Sequence, residues 1–163
     1  MSTSADGDAS PQTGEERTPE AGGEEERQKN APRNFNMCLF TEEGTPLPLS
    51  DEETLVYFAE DVKFYIKVGK GGLINTARYF SKRGAIFMTN CRLMYIPSVI
   101  STSFCSFSVP LTSVADVTAV GGSKVEMVIV FNGNVHAVMK LDLRSNLVDT
   151  FTKQLQRLQE SIA

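Results

Sequence analysis

Little in this chain invites chemistry. Histidine occurs once, at His136, and the three cysteines, Cys38, Cys91 and Cys105, are widely spaced with no Cys-x-x-Cys pair. His136 lies in a strand-like run between Val135 and Ala137. A nucleophilic site would need its imidazole within hydrogen-bonding reach of the nucleophile and oriented by a third group. No Gly-x-Ser-x-Gly turn is present. Gly69-Lys70-Gly71-Gly72 lacks both the spacing and the Lys-Ser/Thr ending of a phosphate-binding loop. No group of His, Cys, Asp and Glu has metal-ligand spacing. Catalysis, a metal and a cofactor are therefore not expected. The odd, scattered cysteines read as buried free thiols in a reducing compartment.

Long apolar runs are missing too. None approaches the roughly 20 residues that span a bilayer. The first residues have neither the basic start nor the apolar stretch of a secretory signal. Ser2 stands where N-myristoylation needs glycine. The expectation is an intracellular, cytoplasmic protein, with a peripheral membrane or nuclear location also open to it.

Charge is unevenly distributed. Residues 1–34 hold eight carboxylates against four basic groups, whereas 35–163 hold twelve of each. The first segment thus carries the whole net charge of −4. Rich in Ser, Thr, Gly, Pro and Glu, it cannot offset an ordering cost of roughly 1–2 kcal/mol per residue. A disordered acidic tail over 1–34 is expected ahead of a domain at 35–163, whose core covers about 50–162. Ser10-Pro11 and Thr18-Pro19 read as solvated positions or as proline-directed phosphorylation sites.

Apolar patterning supplies the fold. Ala85-Ile86-Phe87-Met88 and Leu93-Met94-Tyr95-Ile96 are short β-prone runs separated by Thr89-Asn90-Cys91-Arg92. Asn90 suits the turn because it tolerates the left-handed region or bonds its own backbone. Neither run alternates cleanly, so both faces of this hairpin are expected to be covered. Phe35–Phe40 reads as an edge strand, and 54–58, 62–66, 104–109 and 114–120 as further strands. The cleanest strands are 125–131 and 135–143, joined by Asn132-Gly133, which accepts positive φ at both positions. Lys67–Lys82 reads as a long connection, and Asp51-Glu52-Glu53 and Glu60-Asp61 as solvated turns.

From Ser145 the period changes. Leu147, Phe151, Leu155, Leu158 and Ile162 recur every three or four residues, which predicts an amphipathic helix with Ser145 or Asn146 as N-cap. The predicted fold is mainly β with one C-terminal helix. About seven antiparallel strands would form a bent sheet or barrel of pleckstrin-homology-like type, capped by that helix.

Residues 82–95 carry a resemblance. Lys82-Arg83-Gly84-Ala85-Ile86-Phe87-Met88-Thr89, followed by Arg92-Leu93 and Tyr95, resembles the core signature of GRAM domains. Phe107-Ser108-Val109-Pro110-Leu111 and Val114-Ala115-Asp116-Val117 resemble the segment that follows in the WW-domain-binding-protein branch. The resemblance covers about 50–143 and implies a pleckstrin-homology-like fold. It also implies non-catalytic work as an intracellular adaptor, with a nuclear protein-binding transcriptional coactivator as the alternative. The Pro-Pro-x-Tyr tail by which that branch recruits WW domains has no counterpart here, so that partner is not carried over.

One charge feature points to a partner. Between Asp61 and Asp116 there is no acidic residue, yet seven cations fall there. Five of them, Lys67, Lys70, Arg78, Lys82 and Arg83, lie within 67–83, in the expected loop and at its end, beside Leu73, Ile74, Tyr79 and Phe80. Cations interleaved with insertable apolar groups suit an anionic membrane surface or a phosphoinositide headgroup. A solvated loop with its apolar residues folded back on the domain is the plainer alternative. Nucleic acid is not expected, because the domain is neutral and no reader motif is present. The acidic tail is expected to screen the basic loop in cis.

Overall fold

Strand-forming stretches dominate the chain from Leu55 onward. The computed structural model describes residues 34–69, 76–131 and 135–163. The strands are β1 (Leu55–Ala59), β2 (Lys63–Val68), β3 (Ala77–Ser81), β4 (Gly84–Thr89), β5 (Arg92–Pro97), β6 (Phe107–Pro110), β7 (Val114–Val120), β8 (Lys124–Phe131) and β9 (Val135–Asp142). One helix, α1 (Val148–Ile162), closes the sequence. Two antiparallel sheets result, ordered β1-β4-β5-β6 and β3-β2-β9-β8-β7.

The mainly-β fold with a C-terminal helix is as the patterning predicts, but the β structure is not a closed barrel. Each sheet is open, with β1 and β6 as edges of one and β3 and β7 as edges of the other. The nine strands among the described residues exceed the expected seven or so, and β3 is the clearest addition. Ala77–Ser81 lies inside what the sequence presents as a connection. Its period is nonetheless that of a strand, with Ser81 and Tyr79 directed inward and Arg78 and Phe80 exposed.

A shared core lies between the sheets and the helix. Phe64, Ile66, Ile86, Leu93, Tyr95, Phe107, Met127 and Met139 are fully buried in it. Burying each such side chain contributes about 1.5–3 kcal/mol. Phe64 stacks on Tyr95 with ring centroids 4.5 Å apart. The Tyr95 hydroxyl donates to the Val62 carbonyl at 2.7 Å. Burial pushes its pKa up to about 12, so it remains a donor at all ordinary pH. Gly84 makes room for this ring, since a Cβ there would fall 2.4 Å from both the Tyr95 hydroxyl and the Ile96 carbonyl.

Helix α1 buries Val148, Phe151 and Leu155. Phe151 meets Tyr57 of β1 edge-on at 5.6 Å. Ile162 ends the predicted stripe but is exposed. The expected cap is replaced by a 3-10 turn at Ser145–Leu147, after which Leu147 occupies the N-cap position without a side-chain bond.

The hairpin of β4 and β5 is buried on both faces, as its lack of alternation implies. Its outer residues Phe87 and Met94 are covered by Cys38 and Phe40. Phe35–Phe40 is not a strand. It makes two isolated bridges, Phe35 to Phe107 and Phe40 to Pro46, and between them crosses that outer face. Of the free cysteines, Cys38 is buried but Cys91, in the β4–β5 turn, is exposed. Asn90 in the same turn does not bond its own backbone. Its side chain accepts from the Thr54 N–H at 3.0 Å and donates to the Glu52 carbonyl at 2.9 Å.

Strands β8 and β9 pair along their length up to Phe131 and Val135, while Asn132-Gly133 and the acidic segment up to residue 33 lie outside the described residues. Among the described residues no helix is long and apolar enough to cross a membrane.

Candidate functional site

The expected basic loop is largely a hairpin. Lys67 belongs to β2, and Arg78, Tyr79 and Phe80 to β3. The antiparallel register sets Lys67 opposite Arg78 and Tyr65 opposite Phe80. Strand alternation turns these four outward, while Phe64, Ile66 and Val68 fill the core. Lys63 and Lys82 stand at the other end of the hairpin, one residue beyond the Phe64–Ser81 pair. Both are exposed. Like charges directly opposite on a sheet cost roughly 0.2–1 kcal/mol, so the Lys67–Arg78 pairing is not there for stability.

Acidic neighbours are few on this face. Asp142 pairs in register with Lys63, and Glu126 forms an ion pair with Lys140 at 3.4 Å. Among the described residues no carboxylate forms an ion pair with Lys63, Lys67, Arg78 or Lys82. Arg83 differs from them. Its guanidinium meets Asp61, which also receives Arg144 at 2.9 Å. Those two arginines, Arg83 foremost, hold the Asp61 carboxyl below its ordinary range. Asp61 is exposed in the bend between β1 and β2, as expected of a solvated turn, and there it also holds two arginines.

Tyr79 is not available for a membrane. Its ring stacks on Phe35 at 3.8 Å and meets Phe104 edge-on at 5.7 Å, which makes it part of the core margin. Phe80 is the opposite case, 57% exposed on the outward face. Lys70, Leu73 and Ile74 lie outside the described residues. A cleft of about 390 Å³ runs along Arg78–Arg83, with Val99, Ser101, Ser103 and Phe104 as its other wall.

A second charged site went unread in the sequence. Glu53, taken there for a solvated turn residue, has a side chain 2% exposed, and Arg92, counted among the cations, has one 8% exposed. The Arg92 Nε donates to Glu53 at 2.6 Å, and its other arm donates to the Leu47 carbonyl at 2.7 Å. The Thr89 hydroxyl and the Leu49 N–H also donate to Glu53. Burial alone would raise the Glu53 pKa. The hydrogen bonds from Arg92, Leu49 and Thr89 outweigh it and bring the pKa down to about 2. This network fastens residues 47–53 to the β4–β5 hairpin beside a smaller cavity of about 260 Å³ over Phe87 and Met94. No local pattern marks this pairing in the sequence, because Glu53 and Arg92 are 39 positions apart.

His136 is exposed on β9, opposite Val130 of β8. Among the described residues there is no group of three or more His, Cys, Asp or Glu side chains arranged to hold a metal.

No protein-family model matches the chain, and no curated protein does. A similar solved structure is the C-terminal domain of an unknown protein from Leishmania infantum, at 15% identity, covering 65% of this chain and 84% of that one with a TM-score of 0.37. A likeness at that level carries neither fold nor function across.

Proposed function

We propose that this chain is a non-catalytic interaction module of GRAM type, with a pleckstrin-homology-like fold. Its outward β2–β3 face docks on anionic lipid surfaces, phosphoinositide-bearing ones among them. The observation that carries the reading is the clustering of Lys63, Lys67, Arg78 and Lys82 around exposed Phe80, with no carboxylate from either strand. Each such cation contributes on the order of 1 kcal/mol at an anionic membrane surface. The signature resemblance at Lys82–Tyr95 supports the same reading. As an adaptor, the module would bring whatever it is joined to onto that surface.

Co-sedimentation of the full chain with vesicles tests this, using phosphatidylcholine alone and with phosphatidylserine or phosphoinositide added. Removing three cations should weaken binding by roughly a hundredfold or more, so Lys67→Glu/Arg78→Glu/Lys82→Glu should leave the protein in the supernatant. Wild-type binding that persists at physiological salt only with phosphoinositide would make the site headgroup-selective. Equal sedimentation of wild type and the triple variant would refute the assignment.

A further inference from the structure

The loop between β5 and β6 carries near its start two aliphatic residues that the core does not use. Val99 is 84% exposed and Ile100 64%, among the most exposed large apolar side chains described. They are not on a slack segment. Before them, the Ser98 N–H donates to the Arg83 carbonyl at 2.9 Å. After them, the Ser101 hydroxyl accepts from the Phe104 N–H at 3.1 Å, and the Ser101 N–H donates to the Phe104 carbonyl at 3.2 Å. Phe104 itself is buried among Phe35, Phe64, Tyr79 and Tyr95. Asn36 braces the far side, donating to the Ser103 carbonyl at 3.1 Å and accepting from the Cys105 N–H at 2.7 Å. The loop is fastened at both ends and presents its apolar tip to water.

What surrounds the tip identifies its partner. Val99 lines the same cleft as Arg78, Phe80, Lys82 and Arg83. No acidic residue occurs anywhere between Val62 and Ala115, so neither the β3 wall nor the loop wall supplies a carboxylate of its own. An apolar protein partner would leave Arg78 and Lys82, unlike Arg83 with its Asp61 partner, to be desolvated without counter-charge, which is costly. An anionic bilayer accommodates both sets of groups, with cations at the headgroups and aliphatic side chains in the acyl boundary beneath them.

Resting on the proposed anionic-surface reading, we infer that Val99 and Ile100, together with Phe80, form the element that enters the membrane interface, so the molecule docks by the β3 edge and the β5–β6 loop. This differs from the sequence expectation, which placed insertion at Leu73, Ile74, Tyr79 and Phe80.

The chain contains no tryptophan, so one introduced indole reports its own surroundings without background. Val99→Trp and, at the opposite edge of the five-stranded sheet, Val120→Trp provide a probe and a control in the full-length protein. With phosphatidylcholine/phosphatidylserine vesicles, V99W emission should shift to the blue and be quenched by acyl-brominated lipid, while V120W stays unchanged. Val99→Ser/Ile100→Ser should bind the same vesicles about tenfold more weakly or worse, with its melting temperature unaltered. Vesicle-bound protein with unshifted, unquenched V99W emission would overturn insertion at this tip while leaving the basic face intact. Failure of the wild type to sediment with any anionic vesicle would overturn both.

Discussion

Two neighbouring hairpins use positive charge in opposite ways. In β4–β5, Arg92 is enclosed, bonded to Glu53 and to the Leu47 carbonyl, and holds an N-terminal segment in place. In β2–β3, Lys67 and Arg78 face each other in the open with no carboxylate on either strand. The first arrangement is consumed internally. The second is left over, at a small cost to the fold, and is the one with charge to offer a partner. Along the chain, Lys67, Arg78 and Arg92 fall in one acid-free stretch. Only the presence or absence of a folded-in carboxylate separates the enclosed Arg92 from the exposed Arg78.

Breaking the enclosed pair should have the largest effect. Arg92→Ala or Glu53→Ala leaves a buried charge without its partner and should cost about 3–5 kcal/mol in denaturant unfolding. Replacing both by apolar residues of similar volume should recover most of that loss, because the remaining desolvation penalty also disappears. If the single variants unfold at the wild-type midpoint, the pair is not the fastener described above.

Acid offers a gentler version of the same test. The folded-state pKa of Glu53 is lowered from about 4.5 to about 2, so its contribution is complete above 4.5 and is lost as pH falls toward 2. The loss should be on the order of 3 kcal/mol for a shift of this size. Glu53→Gln should be less stable at neutral pH, and its stability should fall less over that acid range. Thermal melts from pH 5 to 2 would show it, and parallel profiles for the two proteins would assign the acid sensitivity elsewhere.

The exposed face should show the smallest effect on stability. Lys67→Glu/Arg78→Glu/Lys82→Glu should change unfolding free energy by no more than about 0.5 kcal/mol per site, as expected of surface positions. A larger destabilisation, seen in the same denaturant titration, would mean that these cations are structural like Arg92, and the contrast between the hairpins would collapse.

The β4–β5 hairpin was legible because its apolar runs and polar turn follow from local preference, and its coverage on both faces follows from the missing alternation. Helix α1 was legible from its stripe, though not its start, where a 3-10 turn replaced the expected side-chain cap. Strand β3 was obscured because Arg78 and Phe80 on its outward side are of opposite character, which blurs a five-residue alternation. The candidate site was half legible. Its cations are visible as an acid-free stretch, but of Tyr79 and Phe80, both candidates for insertion, Tyr79 follows the alternative and folds back to stack on Phe35. The exposure of Val99 and Ile100 is not legible, since two aliphatic residues in a serine-rich loop carry no local sign of it.

By itself the sequence determined the period-2 and helical patterns, the acid-free stretch and the absence of a nucleophile motif, all of which depend on neighbours along the chain. Tertiary structure alone decided how the strands divide into two open sheets, because edges are set by which strands find partners. It also decided that Glu53 reaches Arg92 across 39 positions, and that the β5–β6 tip shares a cleft with the basic edge of β3. These are contacts between distant segments, and their energies come from burial and pairing that no local pattern records.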